Sequence, residues 1–106
     1  MAQLIWTDPA LLDIEEIAEY IALDNFTAAQ KLVQKIFIGV ERLEQHPYSG
    51  RKLPELKRTV YREVIIGPCR IFYKVDKNKV FILYVMRGER KLRKYLLDER
   101  SKDNKW

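Results

Sequence analysis

The chain has 106 residues, enough for one domain with its own core, and its 47% hydrophobic and 33% charged residues exclude an intrinsically disordered chain. Cys69 is the only cysteine, which excludes an internal disulfide, and no apolar run is long enough to cross a bilayer as a helix. The net charge of +5 is unevenly spread: residues 1–50 carry three basic against eight acidic side chains, a net of −5, and residues 51–106 carry seventeen against seven, a net of +10.

Gln3-Leu4-Ile5-Trp6 is short, apolar and followed by a turn signal, so it reads as a first strand. Asp8-Pro9 then predicts a helix start, with Asp8 as the cap and Pro9 in the first turn, where no N–H bond is missed. Ile14, Ile17, Ala18 and Ile21 recur at helical spacing and form its core face, with Asp13, Glu16, Glu19 and Tyr20 on the outer side. Asn25 or Thr27 caps a second helix, whose stripe Ala29, Leu32, Val33, Ile36, Val40 and Leu43 extends over roughly 28 Å. Gly39 inside that stripe predicts a close helix crossing, and the short link predicts a helix hairpin.

Pro47 ends the second helix, and residues 47–59 lack periodicity, which predicts an irregular loop. Three strands follow, Val60 to Ile66, Cys69 to Val75 and Lys79 to Met86, joined by Gly67-Pro68 and Asp76-Lys77-Asn78 into an antiparallel meander. The run from Val80 to Met86 is apolar at every position, which predicts an interior strand covered on both faces. Residues 89–100 read as a short closing helix. The fold class is therefore α+β: an N-terminal antiparallel helix hairpin packed on a small, mainly antiparallel sheet, with a short C-terminal helix. Residues 1–100 make the single domain, and 101–106 a flexible tail. The N-terminus lacks the pattern of a signal peptide, so the expected address is the cytoplasm, with no membrane partner.

On the strand beginning at Cys69, Ile71, Tyr73 and Val75 face one way and Arg70, Phe72 and Lys74 the other. With the hairpin on the first set, Arg70 and Lys74 lie on an open face, where Arg62 and Arg87 are expected to join them as a convergent arginine cluster. The alternative is that such side chains only solvate the sheet and discourage edge pairing. Arg87, Arg90, Lys91, Arg93 and Lys94 crowd positive charge at the start of the closing helix, where the helix dipole disfavours it. A local preference broken without structural gain points to a binding segment. His46 reads as a surface residue at a helix end, Cys69 as an inert strand thiol and Tyr95 as packing. Neither a phosphate loop nor a nucleophile elbow is present, no metal site can be drawn, and no cofactor is expected.

Taken in order, His46-Pro47-Tyr48-Ser49-Gly50-Arg51, Pro54-Glu55-Leu56, Tyr61-Arg62-Glu63, Arg70-Ile71-Phe72-Tyr73 and Val80 through Arg90 resemble the ParE/RelE superfamily of bacterial type II toxins, over nearly the whole chain. The resemblance implies a small cytoplasmic toxin of the plasmid-stabilisation type, neutralised by a cognate antitoxin, as a homodimer or a heterotetramer with that antitoxin. It also implies one of two targets. RelE-like members enter the ribosome and cut mRNA with lysine and arginine; ParE-like members lack that set and poison DNA gyrase. Carried over residue by residue, Arg62 falls near the first RelE strand lysine, Val64 where the second would be, and Arg70 on a strand arginine. Arg87 or Arg90 stands for the arginine after the last strand, and Tyr95 for the terminal tyrosine, with the spacing off by about one residue. The cleavage set is incomplete, and the hairpin and Pro47–Arg51 loop resemble ParE more closely. The favoured reading is a non-catalytic gyrase inhibitor whose target-binding segment is Arg87 to Lys94. An mRNA interferase using Arg62, Arg70, Arg87, Arg90 and Tyr95, and a non-toxic interaction module, are the alternatives.

Overall fold

The computed structural model describes residues 1–56, 58–88 and 91–102. The chain opens with strand β1 (Gln3–Trp6), followed by helix α1 (Asp8–Ala22), helix α2 (Phe26–Val40) and the single turn α3 (Arg42–Gln45). Strands β2 (Arg51–Lys52), β3 (Arg62–Ile66), β4 (Cys69–Asp76) and β5 (Lys79–Arg87) come next, and helix α4 (Lys94–Lys102) closes the chain. The strands form one sheet in the order β1-β5-β4-β3-β2, in which β1 pairs with β5 in parallel and every other pair is antiparallel.

Thr7, and not Asp8, caps α1. Its Oγ1 accepts from Ala10 N at 3.4 Å and donates to Ile82 O at 2.7 Å, so this fully buried side chain also ties the helix start to β5. Asp8 occupies the first turn, where its charge suits the helix dipole. Asn25 caps α2 by accepting from Ala28 N at 3.0 Å. The predicted long second helix is interrupted at Glu41, which separates α2 from α3. Gly39 serves a helix-on-sheet contact, because a Cβ there would stand 2.6 Å from Ile66 Cδ1 on β3.

The hairpin covers one sheet face, where Ala10, Ile14, Ile36, Val40 and Leu43 meet Val64, Ile66, Ile71, Tyr73, Val80, Ile82 and Val85. The other face is closed as well. Leu53 and Leu56 from the loop, Tyr61, and Leu92 and Leu97 at the C-terminal end pack on Phe72, Phe81, Leu83 and Met86, forming a second core. This explains the unbroken apolar run of β5, an interior strand with buried residues on both faces. A bulge changes the phase within it: Tyr73 pairs with Ile82 and Phe72 with Tyr84, leaving Leu83 as the extra residue. The closing helix is shorter at its start than expected. Residues 91–93 precede it in non-helical conformation, and Ser101 and Lys102, assigned to the tail, complete its last turn.

Candidate functional site

The far face of the sheet holds a charged ladder built on Glu63, whose side chain is completely buried. Arg51 Nε donates to Glu63 Oε2 at 2.7 Å, and Arg70 Nε donates to Glu63 Oε1 at 2.6 Å. Arg70 also grips Glu55 with both terminal nitrogens, at 2.7 and 2.9 Å, and makes a further bond of 3.1 Å to Glu63. Its planar fork is matched to two carboxylates, so four hydrogen bonds fix its position. The carboxylates hold the Arg70 guanidinium firmly charged, while the Arg70 hydrogen bond pulls the Glu55 carboxyl below the usual range. Two cations face two anions here, which leaves little excess charge for a phosphate. The ladder also closes the loop onto the sheet, since Glu55 comes from the loop and Arg70 from β4.

Arg62 does not share this face. In antiparallel sheets directly opposed residues point to the same side, and Arg62 pairs with Tyr73 while Glu63 pairs with Phe72. Its guanidinium donates to Gly50 O at 2.9 Å and lies 5.5 Å from the Tyr48 ring centroid. Arg87 pairs with Cys69 on the hairpin side and stands over the Tyr20 ring of α1. Lys74 lies on the far face but donates to Ser101 Oγ at 2.5 Å. The expected convergence of Arg62, Arg70, Lys74 and Arg87 is therefore replaced by four separate positions. Val64, at the place of the second lysine, is a core residue 3% exposed.

The basic segment is presented to solvent. Arg87, Lys91, Arg93 and Lys94 are all exposed, Lys94 forms a pair with Asp98 at 2.8 Å, and Arg90 lies outside the described residues. Because α4 begins at Lys94, Lys91 and Arg93 precede the helix and do not load its first turn. Tyr95 is 60% exposed and does not pack as expected. His46 is exposed at the end of α3, and burial pushes the Cys69 thiol up, which keeps it protonated and unreactive. Beside this segment, a cleft of about 720 Å³ opens between α1, β5 and α4, lined among others by Asp13, Tyr20, Tyr84, Arg87 and Arg100.

Glu55, Glu63, Asp13 and Arg100 are charged residues to which the sequence gives no site role, although Glu55 and Glu63 lie in the motifs that carry the family resemblance. The helical pattern places Asp13 on the outer face of α1, yet it is half-buried, accepts from Val85 N and pairs with Arg100. For Glu63 a signal existed: a glutamate inside an apolar strand, opposite a strand that carries an arginine, calls for an internal cation.

Residues 4–92 match the family described as ParE toxin of type II toxin-antitoxin system, parDE. The chain is 32% identical over 91 residues to Toxin RelE2 of Caulobacter vibrioides, covering 85% of this chain and 99% of that protein. It is 37% identical over 83 residues to Y4kP of Sinorhizobium fredii, covering 76% and 82% respectively. Its fold superposes on a chain of the chromosomal ParDE toxin-antitoxin system from P. aeruginosa with a TM-score of 0.71 and 28% identity, covering 84% of this chain and 98% of the other. Among the described residues no helix is long and apolar enough to cross a membrane. A family match over most of the length, a relative aligned nearly end to end and a shared fold agree, and the chain belongs to the ParE toxin family, as the toxin of a type II toxin-antitoxin system with a cognate antitoxin for a partner.

Proposed function

We propose that this toxin acts by binding DNA gyrase and holding it in its DNA-cleaved state, without cutting nucleic acid itself. The observation that carries this reading is the commitment of Arg70 to Glu55 and Glu63. RNA cleavage needs cations free to stabilise the phosphate and a proton acceptor beside them. Arg70 instead spends its donors on two carboxylates, Arg62 points to the opposite face, and Val64 is buried where a lysine would be required. Arg87, Lys91, Arg93 and Lys94 remain exposed and supply the docking surface.

Two reactions test the reading together. Purified toxin added to gyrase is expected to block supercoiling and accumulate cleaved DNA, while mRNA in a translating-ribosome reaction stays intact. Cleavage of mRNA in the ribosomal A site would overturn it and favour the ribosome, the target that the resemblance to RelE-like toxins implies. Replacing Arg87, Arg90 and Arg93 together by glutamate is expected to abolish growth arrest in a protein that still folds. Retained growth arrest would remove this segment from the docking surface.

A further inference from the structure

β1 leaves the sheet at Trp6, opposite Ile82, and Thr7 N makes its last bond to that strand, to Ile82 O at 3.3 Å. From Leu83 onward β5 therefore runs without a strand on this side among the described residues. Gly88 N donates to Pro68 O, which sets Gly88, Met86 and Tyr84 in phase toward β4 and turns Val85 the other way. Two side chains stand where the missing strand would be. Asp13 Oδ2 of α1 accepts from Val85 N at 2.9 Å, and Arg100 Nη1 of α4 donates to Leu83 O at 2.9 Å. The two are joined to each other at 2.6 and 3.2 Å, and Arg100 stacks 4.4 Å from the Tyr84 ring centroid.

We propose that Asp13 and Arg100 together substitute for a strand at the open edge of β5 and so act as the positioning pair that fixes α4, and with it the segment Lys91–Lys94, on the body of the toxin. A helix of nine residues is too short to persist unaided, and Leu97 is the one residue buried within α4. Its polar ties are Tyr61 to Asp98 at 2.6 Å, Lys74 to Ser101, and Arg100. Of these, the Asp13–Arg100 pair reaches both the helix hairpin and the β5 backbone, and its side chains are only 14% and 21% exposed. A surface held in one place binds more tightly than one that must be ordered on contact. The inference rests on the reading that the basic segment docks on the target.

The test uses Asp13→Ala, Asp13→Asn and Arg100→Lys in the full chain, with two readouts. In Asp13→Ala the Val85 amide is expected to exchange about tenfold faster or more, because its acceptor is gone. Asp13→Asn keeps an acceptor oxygen and retains most of that protection, and the Ile71 amide is unchanged in both. The second readout is toxin dose against growth arrest. If α4 is in place only part of the time, the dose for half-maximal arrest rises about tenfold in Asp13→Ala while the maximum at full induction stays the same. A protein that merely unfolds would lose the maximum and expose Ile71 as well. Arg100→Lys keeps one donor and a charge, so its dose falls between the two aspartate variants.

Unchanged Val85 exchange in Asp13→Ala would overturn the strand substitute. Faster exchange with an unchanged dose would overturn the positioning role. The docking reading fails separately, if the Arg87, Arg90 and Arg93 reversal leaves growth arrest intact, and Val85 exchange decides the edge assignment in either case.

Discussion

A Cβ on Gly50 would meet the hydroxyl and ring of Tyr73 and stand 2.8 Å from the Glu63 carbonyl oxygen. Neither neighbour can move freely. The Tyr73 hydroxyl accepts from Gly50 N at 2.9 Å and donates to Pro47 O at 2.8 Å, and the Glu63 carbonyl belongs to β3. Gly50→Ala is expected to cost about 3 kcal/mol, through overpacking and a lost hydrogen bond, which in a domain of this size lowers the melting temperature by more than about 10 °C. Gly39→Ala makes a useful contrast, since the new methyl meets side-chain atoms of one residue, Ile66 Cδ1 at 2.6 Å and Cγ1 at 3.0 Å, and no backbone. Gain in helix propensity offsets that crowding, and the change in stability measured by denaturant unfolding should stay within about 1 kcal/mol. In sequence, Gly50 belongs to an expected turn loop, but the reason for a glycine there lies in Tyr73, 23 positions away. Such a contact has no local signal. The cap of α1 was closer to hand, since Thr7 precedes Asp8-Pro9, but its choice over Asp8 follows from burial against Ile82, a strand known only after folding.

The loop after α3 and helix α4 are elements held on the far face by polar ties over a shared apolar cluster, and their dependence on pH follows from those ties. The Arg70 hydrogen bond holds Glu55 below its ordinary value of 4.5, and the Lys94 and Tyr61 hydrogen bonds do the same for Asp98. A carboxyl lowered on folding contributes stability above its unfolded value and loses it as the pH falls through the folded one. Acidification should therefore loosen the loop below about 4.5 and α4 below about 3.8, seen as a loss of amide protection relative to the intrinsic exchange rate at Leu53, Glu55 and Leu56 and then at residues 95–101, before the hairpin core responds. At the other extreme, burial and then the Asp98 hydrogen bond push the Tyr61 hydroxyl up to about 12 from 10. A group raised on folding loses its contribution as the pH climbs between those values, so Tyr61→Phe should flatten the loss of stability over that range, measured by unfolding at stepped alkaline pH. The elements themselves were largely legible, because period-two and helical patterns report burial directly. The faces were legible too, and one error was avoidable: the two-residue Gly67-Pro68 turn pairs Ile66 with Cys69, which by counting places Arg62 opposite Tyr73, away from Arg70. The apolar run of β5 called for cover on the far face, but the patterns could not report which residues supply it. Leu53, Leu56 and Leu92 are isolated apolar residues among polar neighbours, with no period to reveal a common destination.

At the scale of the whole molecule the sign reversal along the chain becomes a reversal between layers. The helix hairpin comes from the half with a net of −5 and the strands from β2 onward with α4 from the half with +10, although Arg62 and Arg87 of that basic half project to the hairpin side of the sheet. Several of the positive charges are neutralised internally: Arg51 and Arg70 by Glu63 and Glu55, Arg100 by Asp13, and Lys94 by Asp98. The long-range field that remains is drawn in part from exposed cations such as Arg87, Lys91 and Arg93. Attraction of that kind acts mostly on the rate of encounter and is screened within about 10 Å at 0.1 M salt. Association of the toxin with an acidic partner should thus slow about tenfold or more as salt rises from about 0.05 to 0.5 M, while dissociation changes far less. Glutamate at Arg87, Arg90 and Arg93 should remove most of that slope, whereas Arg51→Gln should leave most of it intact, because it shifts the charge by one unit where the triple reversal shifts it by six. Stopped-flow or surface-binding kinetics on the purified toxin separates the two variants. A salt dependence that survived the triple replacement would relocate the steering field to the sheet and loop, and Arg87, Arg90 and Arg93 would no longer be the charges that meet the partner first.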